Sequence, residues 1–316
     1  RPRAHSTQLT LSRLGRQHVT AMVNHVTART VLSAEIVQQI VSRTDGVPLF
    51  VEELTKTVLE SVESIGFAIP ATLQDSLMAR LDRLGPAKEI AQVGATIGRE
   101  FDYVLLQVVS PLGEQALQQG LQQLVEAELV YQSGLLPQAH YLFKHALVQD
   151  TAYQSLLKST RQQYHKKIAQ TFEDRFSETK ETQPELLAHH YTEAGLIAQA
   201  IPYWQQAGQK ASQRSASVEA VAHLTRALEL LKTLPDTSTR AQQELSLQVA
   251  LGALLVATKG IAAPEVQNAY ARARELCQLT GETSQLFPVL QGLCEFYGER
   301  GEYQTALELG EQLLTL

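Results

Sequence analysis

The segment LAHHYTEAGLIAQAIPYWQQA, residues 187–207, shows a spacing of large and small residues from which the fold can be predicted. Large and small residues stand 4, 4, 5, 4 and 3 positions apart, namely Leu187, Tyr191, Gly195, Ala200, Trp204 and Ala207. The same intervals return 106 residues later, at Leu293, Tyr297, Gly301, Ala306, Gly310 and Leu313. In a pair of helices the Tyr packs inside, the Gly permits a tight turn and the small Ala lets the second helix approach closely. The spacing predicts stacked helix pairs over residues 184–316, with a period of about 34 residues.

Weaker copies of the second-helix pattern lie between these two stretches. They are Ala220, Leu224 and Ala227, followed by Val266, Tyr270 and Ala273. The set resembles the consensus of tetratricopeptide repeats, in which Trp204 and Tyr270 take the large position of the second helix. Gly310 departs from that consensus, because a bulky residue is expected there. The alternative is a generic helical bundle with an accidental spacing of Ala and Leu.

The composition is that of a globular and mildly acidic protein. The 316 residues carry 27 Lys and Arg against 33 Asp and Glu, a net charge of −6, with 44% hydrophobic residues. This balance disfavours broad electrostatic binding to nucleic acid or to anionic membranes. No apolar run approaches the ~18 residues of a membrane span. The two cysteines, Cys277 and Cys294, are too few for a disulfide framework and fit a cytoplasmic protein.

The first 70 residues predict one strand and three helices. Residues 8–14 alternate as a short strand, and helical periods follow at about 15–28 and 33–43. The run Asp45-Gly46-Val47-Pro48 breaks the chain and starts a further helix. Residues 62–70 contain a Gly and end in a Pro, so they predict a linker.

Residues 71–157 predict a compact unit of their own. Helices are expected at 71–83, 86–96, 102–109 and 113–126, and short strands at 129–132 and 141–144. Three or more helices followed by a hairpin is the order of a winged helix. A single helix over about 146–175 is expected to lead out of this unit.

The chain lacks the motifs of common catalytic sites. The dipeptide Gly-Lys, which closes a P-loop, never occurs, and neither do GxSxG, HExxH or CxxC. His189 and His190 are adjacent, so on a helix their side chains point about 100° apart. His140 and His145 flank a predicted strand at an odd spacing, so their side chains would lie on opposite faces of that strand. Neither pair therefore favours a metal site, and we expect no catalysis and no bound cofactor from these residues alone.

The densest basic stretch does not predict a nucleic-acid site. Lys158, Arg161, Lys166 and Lys167 fall on a predicted helix close to the winged helix. The helix at 113–126, which would be the recognition helix, has no Lys or Arg to hold phosphates. A solvated helix face explains the cations, and nucleic acid is not an expected partner.

Residues 44–54, TDGVPLFVEEL, are the most informative segment for function. Taken alone they are a helix start, with Asp45 or Gly46 near the cap and Pro48 in the first turn. After a small helical lid and before a winged helix, they are similar to the sensor-2-side motif of STAND-type AAA ATPases. The resemblance implies that Gly46, Val47 and Pro48 form the adenine side of a nucleotide site, with the helix start near the phosphates.

Other segments resemble the same family in the same order. Arg1-Pro2 resembles the Arg-Pro after the sensor-1 strand, which would place Arg1 on that side of the site. IPATLQDSLMARLDRL (69–84) and FKHALVQDTAYQSLL (143–157) look like the two ends of the family's winged-helix arm. ELLAHHYTEAG (185–195) resembles the opening of its repeat array. The ordered set is closest to bacterial proteins in which a class III adenylate cyclase domain precedes an AAA ATPase and helical repeats.

The resemblance implies a mainly α chain in four parts. These are a remnant of the AAA domain (1–62), a winged-helix arm (71–157), a linking helix (158–183) and tetratricopeptide-like repeats (184–316). The chain starts at Arg1 without an initiator Met, and we expect it to be a piece of a longer protein with the P-loop upstream. ATP or ADP with Mg²⁺ is then expected to bind only in the full-length protein, since phosphate contacts and magnesium supply much of the affinity.

The expected function is regulatory. A protein or small molecule bound to the repeats would shift a nucleotide-dependent switch and thereby control an output domain such as an adenylate cyclase. Two other classes of protein stay open. One is a pure interaction scaffold that needs only residues 184–316. The other is the middle region of a LuxR-type transcription regulator, since some LuxR-type regulators have the same arrangement in their middle region. An upstream or downstream domain would discriminate between the classes.

Overall fold

A computed structural model describes residues 12–27, 32–61 and 70–316. The described residues form seventeen α-helices and three short β-strands, so the mainly α fold class is confirmed. Contacts divide the chain into two compact units, Arg1–Lys158 and Ser159–Leu316. The finer division into four parts stays a prediction.

Three helices open the N-terminal unit: α1 Arg16–Thr27, α2 Ala34–Thr44 and α3 Pro48–Ser61. Their apolar faces share a core built from Val19, Val23, Ile40, Phe50, Val51, Leu54 and Val58. The helices predicted at 15–28 and 33–43 are confirmed. The strand predicted at 8–14 is wrong for residues 12–14, because the N–H of Leu14 donates to the carbonyl of Gly46 (2.8 Å) and not to a partner strand. Residues 8–11, like Arg1, Pro2 and the linker residues 62–69, lie outside the described ranges.

The rest of the N-terminal unit has the element order of a winged helix. Its elements are α4 Leu73–Arg83, α5 Pro86–Ile97, β1 Glu100–Asp102, α6 Tyr103–Val109, α7 Glu114–Glu126, β2 Val130–Ser133, β3 His140–Phe143 and α8 Ala146–Gln154. The strands form one antiparallel sheet in the order β1-β3-β2. The four helices predicted over residues 71–126 and the hairpin are confirmed, whereas β1 was not predicted. This strand is three residues long and runs directly into a helix, and its buried Phe101 stacks on Tyr141 of β3 (ring centroids 5.6 Å apart).

The single helix predicted over 146–175 is wrong. The helix α8 ends at Gln154, and a separate helix α9, Lys158–Arg175, follows after three residues. The break coincides with Ser155, whose hydroxyl accepts a hydrogen bond from Gln92 of α5 (2.8 Å) and donates to the carbonyl of Ala152 (2.6 Å). A tertiary contact therefore accompanies the end of the helix at this point.

The C-terminal unit contains helices throughout. After α9 come α10 Ser177–Thr182, α11 Pro184–Glu193, α12 Ile197–Gln213, α13 Ser217–Leu231, α14 Ser238–Lys259, α15 Pro264–Thr280, α16 Leu286–Glu299 and α17 Tyr303–Leu314. Consecutive helices from α11 to α17 pack against each other as antiparallel neighbours. The linking helix expected at 158–183 is thus two helices, α9 and α10.

The two matching stretches of the repeat adopt the same turn. Gly195 and Gly301 both have φ of 75°, a left-handed conformation that glycine adopts without a steric penalty. The residue after each glycine donates its N–H to the carbonyl of the preceding tyrosine, Tyr191 or Tyr297, at 2.9 Å. Equal spacing in the sequence therefore corresponds to equal backbone geometry in the structure.

The weaker copy at Ala220, Leu224 and Ala227 is the second half of a full third copy of the pattern. Ala207, Ala211, Ser215, Ala220, Leu224 and Ala227 have the same intervals of 4, 4, 5, 4 and 3 residues. Ser215 takes the left-handed turn position with φ of 59°, and the N–H of Ala216 donates to the carbonyl of Ala211 (2.9 Å). Hence α12 is the second helix of one pair and the first helix of the next. The first half of this copy was not predicted, because Ser replaces the Gly and Ala replaces the Tyr.

Tyr270 of α15 gives a test of this packing. Its ring lies between two glycines, and a Cβ added to Gly252 or Gly292 would come within 2.7 or 2.4 Å of a ring carbon. Alanine normally stabilises a helix interior relative to glycine. Here the overlap of the new Cβ with the Tyr270 ring should make the same substitution destabilising. We expect Gly292→Ala to lower the free energy of unfolding of the C-terminal unit by about 1–3 kcal/mol, measured by urea denaturation and by hydrogen exchange of α14–α16.

The matched control is Gly310→Ala in α17, where an added Cβ meets nothing within 4 Å. This change should stabilise the unit by about 0.5–1 kcal/mol. Equal effects at Gly292 and Gly310 would contradict the packing of Tyr270 described above.

Candidate functional site

The turn between α2 and α3 requires glycine at position 46. Asp45 and Gly46 both have positive φ, 47° and 71°. A Cβ on Gly46 would lie 2.3 Å from the carbonyl oxygen and 2.9 Å from the nitrogen of Leu14. Asp45 is the C-terminal cap residue of α2 and forms an exposed ion pair with Arg13.

The same turn presents an apolar surface at the start of a helix. Thr44 and Gly46 are buried, whereas Val47, 37% exposed, and Pro48 face outward. Since α3 begins at Pro48, its first N–H groups have no partner within the helix and create a partial positive charge there. A flat apolar ring against Val47 and Pro48, with an anion near the helix start, is compatible with this arrangement. Arg1 lies outside the described residues, so the structure does not place it.

Helix α3 is fastened to the winged helix by a buried ion pair. Glu53 of α3 and Arg80 of α4 are 1% and 2% exposed and their side chains are in direct contact. The guanidinium of Arg80 also donates to Glu60 (3.2 Å) and to the carbonyl of Ala127. The neighbouring hydroxyls of Thr57 and Ser76, both fully buried, share a hydrogen bond of 2.6 Å.

A second cluster of four charges extends this contact to the wing. Lys144, which directly follows β3, donates to Glu52 of α3 (3.0 Å) and to Glu128 after α7 (3.2 Å), and Lys56 of α3 contacts the same two carboxylates. Burial alone would raise the pKa of Glu52, but the hydrogen bonds from both lysines outweigh it and lower the pKa to about 2. The same bonds raise the pKa of Lys144 against the effect of burial. The pKa of Glu128 is lowered by the same two lysines, so Glu52, Glu128 and Lys144 are charged at neutral pH.

Sequence reasoning did not identify these residues, although a signal was present. Polar residues at positions 52, 53, 56, 57 and 60 form one stripe along α3, beside its apolar face. A stripe of mixed charge normally indicates a solvated face. Only the packing of α4 and the contacts of Lys144 show that the face is an interface.

The repeat residues lie in the interior of the helix pairs. Leu187, Tyr191, Ala200, Ala207 and Leu293 are buried, and Trp204, Tyr297 and Ala306 are half-buried. The indole of Trp204 donates to the hydroxyl of Thr192 (3.0 Å), which ties α12 to α11. These side chains hold the helices together, so a partner would bind to other residues of the array.

A groove of about 300 Å³ lies between α13, α14 and α15. It has an apolar floor that includes Leu251 and Leu255, amides from Gln248 and Asn268, and an ion pair between Lys259 and Glu265 at its edge. Such a mixture of apolar and amide groups is typical of surfaces that bind a peptide or a small polar molecule.

The histidines singled out in the sequence do not form a metal centre. His140 lies in β3 and contacts the carboxylate of Asp102 through Nδ1, and His145 precedes α8. Across residues 12–27, 32–61 and 70–316, we find no cluster of three or more His, Cys, Asp or Glu side chains that fits a metal ion.

In the same ranges, every helix is too short or too polar to cross a membrane.

Comparison with known proteins shows similarity to a bacterial protein in sequence and to a solved structure in fold. No protein-family profile matches the chain. Over 258 residues the chain is 30% identical to an uncharacterized protein of Rhizobium meliloti, an alignment that covers 78% of this chain and 25% of that protein. The chain thus spans about a quarter of the length of the curated relative. Among solved structures, it is similar to a STAND protein (signal transduction ATPase with numerous domains) with a tetratricopeptide repeat sensor from Pyrococcus horikoshii, at a TM-score of 0.36 and 9% identity, covering 96% of this chain and 47% of that chain. At this level of similarity neither relative assigns a function to the chain.

Proposed function

We propose that this chain is the regulatory part of a cytoplasmic, nucleotide-dependent signalling switch. One observation carries the proposal: α3 starts at the exposed Val47–Pro48 turn and is fastened along its length to the winged helix by Glu53–Arg80 and the four-charge cluster. A ligand bound at the turn would therefore act on a helix that moves together with the winged helix.

ATP or ADP with Mg²⁺ is the proposed ligand in the full-length protein. Gly46 would let the backbone approach closely, Val47 and Pro48 would contact adenine, and the start of α3 would favour the negative phosphates. The phosphate-binding residues would belong to a part of the protein that precedes Arg1. The adenine contacts follow from the resemblance of residues 44–54 to STAND-type ATPases, and the exposure of Val47 and Pro48 supports them.

The repeat array is the proposed receiving surface for a protein or small-molecule signal. Binding there and nucleotide binding at the turn would bias the same two-state element, which is the requirement for allosteric coupling. An adenylate cyclase is the proposed output domain. The second candidate function is that of a pure interaction scaffold. It is favoured by the groove between α13, α14 and α15, because a partner could bind there without any nucleotide.

Replacement of Pro48 by Ala in the full-length protein tests the nucleotide role. Loss of one apolar contact with adenine should weaken ATP or ADP binding by roughly 3–10-fold, measured by isothermal titration calorimetry. The matched control is Pro86→Ala, because Pro86 is also an exposed proline in the first turn of a helix. Equal nucleotide affinity in the wild type, Pro48→Ala and Pro86→Ala would contradict a role of Pro48 in nucleotide binding. The pure interaction scaffold would then be the remaining candidate function.

A further inference from the structure

Two buried histidines join α9 to the first helix of the repeat array. His165 of α9 and His190 of α11 are 2% and 1% exposed, and their Nδ1 atoms are 2.8 Å apart. A hydrogen bond between two imidazole nitrogens needs a protonated nitrogen on one ring and a bare nitrogen on the other. When both rings are cationic, the acceptor is lost and two positive charges lie in contact.

The surroundings of the pair disfavour any positive charge. The Nε2 atom of His190 is buried and has no hydrogen-bond partner in the described part of the chain, and the ring of Phe172 lies 6.0 Å from that of His190. His189 of α11 and Arg161 of α9 are titratable groups that act on the two rings, and neither side chain can carry a negative charge that would favour a cationic imidazole. Burial, then His189 and Arg161, lower the pKa of His165 to about 4. Burial, then His165 and His189, lower the pKa of His190 well below its ordinary value.

A second contact holds the other end of α9. Glu173 accepts hydrogen bonds from the hydroxyls of Tyr191 in α11 and Tyr203 in α12, whose rings are stacked with centroids 5.8 Å apart. This contact involves no imidazole. Both polar contacts attach α9 to the repeat array, and the Glu173 contact does not depend on neutral histidines.

We propose that the His165–His190 pair is an acid-sensitive contact, whose protonation releases the N-terminal half of α9 from α11 while the Glu173 contact remains. The folded contact favours the neutral rings, so it binds fewer protons than the opened state. Its stability is therefore complete above the ordinary histidine pKa of 6.5 and decreases as the pH falls towards 4. A mildly acidic environment would loosen the point at which α9 meets the repeat array.

Hydrogen exchange of the whole 316-residue chain at pH 7.5 and 5.5, corrected for intrinsic exchange rates, tests the proposal. With the pKa values of 6.5 and about 4, opening of one histidine contact should become about tenfold more frequent at pH 5.5. We expect this increase in α9 and α11 and a smaller one in α15–α17. The double variant His165→Phe/His190→Phe should abolish it, whereas the exposed-histidine control His25→Gln should keep it.

A measurement on the wild type covers the case in which the double variant does not fold. Nitrogen-15 shifts of the imidazole rings should show two neutral rings at pH 7 that titrate with midpoints well below 6.5. Midpoints near 6.5, or equal protection of α9 at the two pH values, would overturn the proposal. So would an unchanged pH dependence in a folded double variant.

Discussion

Arg80→Met is expected to lower the free energy of unfolding of the N-terminal unit by about 3–5 kcal/mol. The substitution leaves the carboxylate of Glu53, 1% exposed, buried without its cation. It also removes the donor to the carbonyl of Ala127. The uncompensated charge dominates the loss, because methionine keeps most of the side-chain volume. Urea denaturation, with hydrogen exchange to assign the effect to α3, α4 and α7, measures it.

Two further variants separate charge burial from simple loss of packing. The double variant Glu53→Leu/Arg80→Met removes both charges, and we expect it to recover most of the stability lost in Arg80→Met. Lys88→Met breaks the exposed ion pair with Asp82 and should change stability by less than about 1 kcal/mol. If Arg80→Met and Lys88→Met had similar effects, the buried pair would not hold α3 to the winged helix.

Gly46→Ala is expected to lower the free energy of unfolding of the N-terminal unit by about 3 kcal/mol or more, nearly as much as Arg80→Met. A left-handed conformation costs an L-residue about 1–2 kcal/mol. At φ of 71° the new Cβ would also lie 2.3 Å from a backbone oxygen of Leu14, which cannot move aside as a flexible side chain could. The turn must therefore open, and α1 and α3 lose their common core. The loss should appear in the unfolding midpoint of the N-terminal unit.

Controls divide this effect into its two causes. Gly281→Ala, at φ of 69° with nothing within 4 Å of the added Cβ, reports the conformational cost alone, about 1–2 kcal/mol. Gly15→Ala, beside α1 and with only an ordinary contact at 3.8 Å, should be close to neutral. A loss at Gly46 no greater than at Gly281 would show that Leu14 does not constrain the turn.

The helices of this chain were largely predictable because their causes are local. Apolar periodicity defines α1, α2 and α5, and proline at the first position defines α3 and α5. The repeat was visible because a tyrosine, a glycine and a small residue recur at fixed spacing. Where Ser215 replaces the glycine, the same turn still forms but the pattern is no longer conspicuous.

The errors arose where a contact distant in sequence overrides a local preference. Residues 146–175 have no strong breaker, yet the helix is interrupted at Ser155, which is bonded to α5. The strand β1 is too short to show a period and exists because β3 pairs with it. Residues 12–14 alternate like a strand but bond to the turn at Gly46.

In the candidate site, the turn and the helix that follows were predictable from local sequence, since Gly46 and Pro48 act through the backbone of their own neighbours. The residues to which that helix is attached follow from tertiary packing alone. Glu53 and Arg80 are 27 residues apart in the chain, and so are ordinary surface residues until α4 packs on α3 and removes water from both. The same holds for His165 and His190, 25 residues apart, whose chemistry depends on burial that no spacing in the sequence specifies.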